Sequence, residues 1–187
     1  MYETLETPRL LLRKARDEDL ESILKNVWSD AGMARFMLWE PIRTRDAALA
    51  RMARTKALQE VNYAWFVCLR ETDEPIGFGG IRQTAPGEFE ELGLCIATAY
   101  QGKGLGRELL EALTGLAFEK LGANRFFYGC FHENLASAAL CKSFGFVYVK
   151  SMTETRKWDG YEYLCDLYVL EKHSEDRNAE TGEEPVP

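Results

Sequence analysis

The chain has 187 residues, 46% of them hydrophobic, with 23 Lys and Arg against 30 Asp and Glu for a formal net charge of −7. That length fits one domain, or one domain with a tail, able to bury about 70% of its unfolded surface, and the acidic balance argues against general nucleic-acid binding. No apolar run approaches the roughly 20 residues of a membrane span, the stretch Met-Tyr-Glu-Thr-Leu-Glu-Thr has neither a basic nor an apolar region of the kind a secretory signal carries, and two histidines and five cysteines without a CxxC pair offer no metal framework. These features predict a cytoplasmic protein with reduced thiols, no membrane association and no metal.

In chain order, Thr7-Pro8-Arg9 leads into a first strand, Leu10–Arg13. Asp17 reads as the N-cap of a helix with Leu20, Ile23, Leu24, Val27 and Trp28 on one face. Residues 29 to 41 are irregular yet hold Met33, Phe36, Met37, Leu38 and Trp39, so this segment either covers a surface patch or walls a site. Thr44 caps a second helix running to about Leu58. Tyr63 to Arg70 and Ile76 to Ile81 are strands about a turn, the second loosened by Gly77, Gly79 and Gly80, and Glu88 to Ile96 is the next. A helix with Leu105, Leu109, Leu113, Leu116 and Ala117 on one face closes at Gly122. Arg125 to Phe131 is a strand, and Asn134 starts a short helix that ends at Phe144-Gly145-Phe146. Val147 to Thr155 and Tyr161 to Leu170 form a closing hairpin. The domain is expected over residues 1–171, and the acidic tail at 172–187 reads as disordered.

Between the 88–96 strand and the long helix stands Gln101-Gly102-Lys103-Gly104-Leu105-Gly106-Arg107. The first turn of a helix leaves about four backbone N–H groups unpaired and carries partial positive charge. Glycines at 102, 104 and 106 let that backbone approach a pyrophosphate closely. The nucleotide-hydrolase phosphate loop does not fit, because Lys103 lies between the glycines with no hydroxyl after it, and the dinucleotide fingerprint fails where Arg107 replaces its third glycine. The pattern Gln-x-x-Gly-x-Gly, carried by Gln101, Gly104 and Gly106, is similar to the acyl-CoA loop of the GNAT superfamily of N-acetyltransferases. Asn134-x-x-Ser137 followed by Gly145-Phe146 resembles a second signature of that superfamily. Thr7-Pro8-Arg9-Leu10-Leu11-Leu12-Arg13 and Glu91-Leu92-Gly93 resemble a narrower branch, the bacterial ribosomal-protein N-terminal (alanine/serine) acetyltransferases. The resemblance spans about residues 7 to 171 and implies an α+β fold. Its sheet would be central, mixed, mostly antiparallel and flanked by helices, with the fourth and fifth strands splayed apart.

The resemblance also implies residue roles. The backbone N–H groups of Gln101, Gly102, Lys103, Gly104, Leu105, Gly106 and Arg107 would hold the pyrophosphate of acetyl-CoA, the cosubstrate. Lys103 and Arg107 would add charge, unless they serve only as a solvated helix face. The pantetheine arm would run beside the backbone of Leu94 and Ile96 as a pseudo-strand. Asn134 would bind that arm, cap its helix, or do both. Ser137 would sit near the phosphate or adenine end. A thioester is already activated, so attack by a neutral amine needs placement, a proton acceptor and support for the leaving thiolate. Glu91 is the candidate base, through a water, with Glu90 as substitute, since neighbouring strand residues face opposite ways. The thioester oxygen would lean on the N–H of Ile96. Cys141 stands seven residues after Asn134, where many relatives carry an acidic tyrosine. It is either the thiolate's proton donor or a small packing residue, with Tyr128, Tyr148, Tyr161 or water as other donors.

The acceptor follows from pKa values. An α-amine of pKa ~7.8 is roughly a tenth neutral at pH 7, whereas a lysine of pKa ~10.4 is below a thousandth. A modest carboxylate base therefore suits a protein or peptide N-terminus, with amino acids, polyamines and aminoglycosides as alternatives, and the net charge mildly favours a cationic acceptor. A non-catalytic acyl-CoA-binding module is the competing reading. A monomer or homodimer is expected.

Overall fold

The computed structural model describes residues 2–172. The tail expected at 172–187 lies outside the described residues apart from Lys172. Eight strands make one sheet: β1 (Thr4–Glu6), β2 (Leu10–Arg13), β3 (Tyr63–Leu69), β4 (Pro75–Ala85), β5 (Glu88–Ile96), β6 (Arg125–Phe131), β7 (Val147–Thr155) and β8 (Glu162–Glu171), in the spatial order β1-β2-β3-β4-β5-β6-β8-β7. Neighbours are antiparallel except β5 and β6, which run parallel. The mixed, mostly antiparallel α+β fold expected from the sequence is therefore the one observed. The strand that pattern reading misses is β1, three residues too short to show a period. Trp65 Nε1 donates to Glu3 O at 3.2 Å beside it.

Five helices flank the sheet: α1 (Leu20–Ile23), which runs on as a π turn to Trp28, α2 (Ala31–Ala34), α3 (Arg45–Val61), α4 (Leu105–Gly115), likewise extended to Lys120, and α5 (Leu135–Lys142). The α4 stripe does what its period requires: Leu105, Leu109, Leu113, Leu116 and Ala117 are all buried. It packs on the face that Gly79 presents, where a Cβ would lie 3.0 Å from Leu109 Cδ1. The glycine in β4 is thus a docking surface for the helix rather than a loosened strand. On the opposite face Trp28 meets Phe66 edge-on, with centroids 5.9 Å apart. Thr44 caps α3 as expected, its Oγ1 accepting from Ala47 N at 3.3 Å.

The expected cap at Asp17 is not the one used. Asp19, two residues further in, is buried, accepts from Arg16 N at 2.7 Å and takes both terminal nitrogens of buried Arg13 at 2.8 Å. Two buried charges hold only when fully paired, and here the fork of Arg13 also reaches Asp73.

The feature that creates the site is where β5 and β6 stop pairing. They are in register only at Glu88–Arg125, Phe89–Phe126 and Glu90–Phe127, and then part. A bulge forces the break, for the β4–β5 register shifts after Ile81–Glu91 and Gly93 sits at φ 107°, with a Phe78 ring carbon 2.9 Å from where a Cβ would stand. Only glycine fits there.

Candidate active site

The loop between β5 and α4 is held from both ends. Gln101 Nε2 donates to Ile96 O at 2.8 Å, and Gln101 N donates to Thr98 O at 3.2 Å, so this residue locks the loop and its own amide is already used. Gly104, at φ 78°, turns the chain into the helix, and the amide of Glu108 is the one that closes on Gly104 O, at 3.2 Å. The amides between them lie in the first turn, where no helical acceptor precedes them. Gly102 has no atom within 4 Å of a would-be Cβ, and Gly106 only Leu140 Cδ2 at 3.8 Å.

From the other side, Glu108 clamps the opening strand motif. Its Oε1 accepts from Thr7 Oγ1 at 2.5 Å and from Arg9 N at 2.7 Å, and its Oε2 from Arg9 Nε at 2.6 Å. Arg9 Nη1 reaches on to Lys103 O at 2.8 Å. Burial opposes ionisation of Glu108, but Thr7 and Arg9 outweigh it and its pKa is lowered. This clamp gives the Thr-Pro-Arg motif a physical purpose, which nothing local in the sequence reveals because its partner lies about a hundred residues away. Arg9→Ala should weaken acetyl-CoA binding about tenfold by freeing the loop and leaving Glu108 unneutralised beside the anion. Calorimetric titration checks this, and an unchanged Kd would mean the clamp does not position the loop.

A cleft of about 620 Å³ opens from this loop into the gap between β5 and β6, a size typical of ligand sites. Leu94, Ile96, Gln101, Gly102, Gly104, Leu105, Gly106, Arg107, Asn134 and Ser137 line it, as do Met33, Phe36 and Met37 from the 29–41 segment. Buried Arg156 pins that segment by donating to Ala34 O at 3.1 Å and Arg35 O at 3.0 Å, while Asp159 fixes the guanidinium from behind. Lys103 does not line the cleft, and its ammonium lies 5.2 Å from the Tyr100 ring centroid. Arg107 lines it, yet its guanidinium is drawn to Ser143 Oγ at 2.6 Å and over Phe144. Asn134 lines the cleft, and its Oδ1 accepts from Ser137 N at 3.2 Å, the expected helix cap, which leaves the amide nitrogen as a donor.

Glu90 and Glu91 part as alternation requires. Glu90 pairs with Arg82 on the exposed surface. Glu91 is half-buried beside the strand gap, where Gly93 N donates to its Oε2 and the Gly129 amide of β6 also bears on it. Like Lys103, it is not among the residues that line the cleft. Burial pushes its pKa up to about 7, with the Glu90 charge adding to the rise and the Gly93 and Gly129 amides opposing it. Buried Tyr128 lines the cleft from β6, and its hydroxyl shares a 2.8 Å hydrogen bond with Ser137 Oγ. Burial, then the charge of Glu91, raises the tyrosine's pKa, so it stays protonated.

Ser137 lines the cleft with its hydroxyl against Tyr128. Cys141 is fully buried, its Sγ donates to Ala138 O at 3.3 Å, it is not among the cleft residues, and burial raises its pKa to about 11. It packs α5 onto the sheet. Of the alternative tyrosines, Tyr148 is exposed and bonded to Ser151, and Tyr161 is exposed at a turn near Arg156. Only Tyr128 faces the cleft.

A splayed strand pair, a glycine-rich helix start and a carboxylate beside the gap define a class of acyl-thioester-using transferases. Residues 9–147 match the acetyltransferase (GNAT) domain family, and the chain belongs to that family, which makes it an acetyl-CoA-dependent acetyltransferase. It is 26% identical over 178 residues, covering 94% of this chain and all of the relative, to YoaA, an uncharacterised N-acetyltransferase of Bacillus subtilis. Its fold is shared with a GNAT-family acetyltransferase from Bacillus anthracis (TM-score 0.76, 17% identity, 90% of this chain and 98% of that one). It is shared equally with RimL, a ribosomal L7/L12 α-N-protein acetyltransferase (TM-score 0.77, 19% identity, 92% and 96%). No group of three or more metal-ligating side chains occurs among the described residues, and no described helix is long and apolar enough to cross a membrane.

Proposed function

We propose that this acetyltransferase modifies the α-amine of a protein or peptide N-terminus, with Glu91 as proton acceptor and Tyr128 as proton donor. Acetyl-CoA supplies an acetyl group already activated as a thioester. The loop amides from Gly102 to Arg107, the backbone beside Leu94 and the amide of Asn134 are the groups that fit its diphosphate and its extended arm. What carries the reading is the carboxyl of Glu91 beside the strand gap with a pKa of about 7. A base half ionised at neutral pH matches an amine of pKa ~7.8 far better than one of ~10.4. The fold shared with RimL supports the same acceptor class. The five free cysteines accord with a reducing compartment, and a cytoplasmic location is part of this reading.

Glu91 and Tyr128 are coupled. The Glu91 charge helps hold the Tyr128 hydroxyl protonated. When Glu91 takes a proton from the amine, that charge disappears and the phenol becomes more acidic, just as a leaving sulfur requires a proton. Ser137 Oγ, bonded to the phenol, holds it in orientation.

The test follows thiol release from acetyl-CoA with Ala-, Ser- and Met-started peptides, spermidine, an aminoglycoside and free amino acids. Peptide-dependent release is expected. Tyr128→Phe should lower kcat about 100-fold, whereas Cys141→Ala should leave it within about threefold and lower the melting temperature through lost packing. Loss in Cys141→Ala with none in Tyr128→Phe would reverse the assignment. Turnover of small amines alone would overturn the N-terminal reading.

A further inference from the structure

A second cavity, of about 350 Å³, opens between α3 and the sheet on the face that carries Trp28. It borders the acyl cleft across the bulge, because Leu92 lines one and Leu94 the other, and Trp39 and Met37 divide in the same way. The charge of Arg51, which lines the second cavity, also acts on Cys95, which lines the first.

Arg51 is the unusual group. Its guanidinium lies 5.1 Å from the Trp28 ring centroid and 4.6 Å from that of Trp39. Indole contacts engage the faces of a guanidinium and leave the in-plane N–H fork for an acceptor. Among the described residues no hydrogen bond or ion pair reaches that fork, and desolvation holds the Arg51 pKa down to about 10. Trp39, in the same cavity wall, has its Nε1 buried with no partner. Buried donors of this kind are costly when unpaired. Arg54 lines the cavity too, and the groove outside it adds Arg43 and Lys157, none of them in an ion pair among the described residues. Glu40 is the one acid of that groove. A chain of net charge −7 thus surrounds this mouth with cations, against the weak expectation of a cationic acceptor drawn from overall charge.

We infer that this cavity is the acceptor's specificity site and that it binds a carboxylate carried near the reacting amine, with the Arg51 fork as its principal ligand and Trp39 Nε1 and Arg54 beside it. The inference rests on the acetyl-acceptor reading above. The carboxylate has two sources, an Asp or Glu side chain early in a peptide or the α-carboxylate of a free amino acid, and both present the planar oxygen pair that an arginine fork matches.

The test uses the intact protein with acetyl-CoA. Titrations with Ala-Glu-Glu-Leu and its isostere Ala-Gln-Gln-Leu are followed by intrinsic fluorescence, to which Trp28, Trp39 and Trp65 of the cavity and Trp158 of the groove contribute, with thiol release recorded in parallel. Free alanine and alaninamide, which lacks the α-carboxylate, form a second pair. The acidic member of at least one pair should bind about tenfold or more tightly, the worth of one charge-assisted hydrogen bond. Arg51→Gln should erase that ratio, and Arg51→Lys, which keeps the charge but not the fork, should recover only part of it. A preference in the peptide pair alone assigns the source to a side chain, and one in the amino-acid pair alone to an α-carboxylate. Equal affinities within both pairs, or a ratio that survives Arg51→Gln, would overturn the inference. Preferential binding without any thiol release would leave the carboxylate site standing and count against the proposed reaction instead.

Discussion

Replacing Glu91 by Gln should lower kcat/KM for a peptide acceptor about 100- to 1,000-fold and, at the same time, make the protein more stable above neutral pH. Both effects come from the same half-buried carboxyl. Its pKa in the folded chain is about 7 against an ordinary 4.5. Between those values the folded protein binds more protons than the unfolded chain, so stability falls as pH rises through the window, and the full cost is present above pH 7. That cost is about 3 kcal/mol at most for this shift, and about 2 kcal/mol once partial solvent contact is allowed for. Gln keeps an oxygen for the Gly93 amide and never ionises, so Glu91→Gln should melt roughly 4–8 °C higher at pH 8.5 and no higher at pH 4. Melting curves at the two pH values and initial rates settle both halves. Glu90→Gln, which loses the surface pair with Arg82 and a secondary contribution to the Glu91 shift, should stay within about threefold of the parent rate. A Glu91→Gln protein that turns over normally would remove the base assignment, and one that melts lower at pH 8.5 would show that burial is not what controls the carboxyl.

Some of this site is local and so could be read from the chain alone. The apolar period of α4, the spacing of Gln101, Gly104 and Gly106, and the Asn134 cap depend on residues within one or two turns of each other, and the structure places them together. Other parts depend on register. Which glutamate turns toward the gap is decided by alternation along β5 and by the bulge at Gly93, and strand sequences carry no mark of absolute facing. The position seven residues after Asn134 is held by Cys141, whose side chain the rotation of α5 turns into the core, and the donor proposed in its stead, Tyr128, stands on β6, earlier in sequence. Long-range clamps are the least legible. Thr7 and Arg9 on Glu108, Arg156 on the carbonyls of the 29–41 segment, and Arg51 against Trp28 and Trp39 each join elements that only the finished fold brings together. Net charge misleads for the same reason, since an average over 187 residues says nothing of the cations gathered at one cavity.

Gly104→Glu should abolish useful acetyl-CoA binding while leaving a folded protein, and the two consequences have separate causes. Gly104 holds φ 78° and ψ 3°, a left-handed conformation that costs a residue with a Cβ about 1–2 kcal/mol. The added Cβ would meet only Arg9 Nη2 at 3.4 Å, the end of a flexible side chain, so no backbone has to move. The expected fall in melting temperature is therefore modest, roughly 2–8 °C. The carboxylate acts differently. It stands at the helix start, where it can occupy the unpaired first-turn amides itself and place a negative charge against the diphosphate that those amides are arranged to receive. A loss of about 100-fold or more in affinity is expected, from one like-charge contact added and several amide donors withdrawn. Gly104→Ala separates the causes, since it carries the strain without the charge and should lose only a few-fold in affinity. Calorimetric titration of all three proteins with acetyl-CoA, beside their melting curves, makes the comparison. If Gly104→Ala loses as much as Gly104→Glu, backbone shape governs the cradle and the amide charge is secondary. If neither loses affinity, the loop from Gln101 to Arg107 does not hold the diphosphate, and the roles proposed for Glu91 and Tyr128 lose the anchor that would bring a thioester to them.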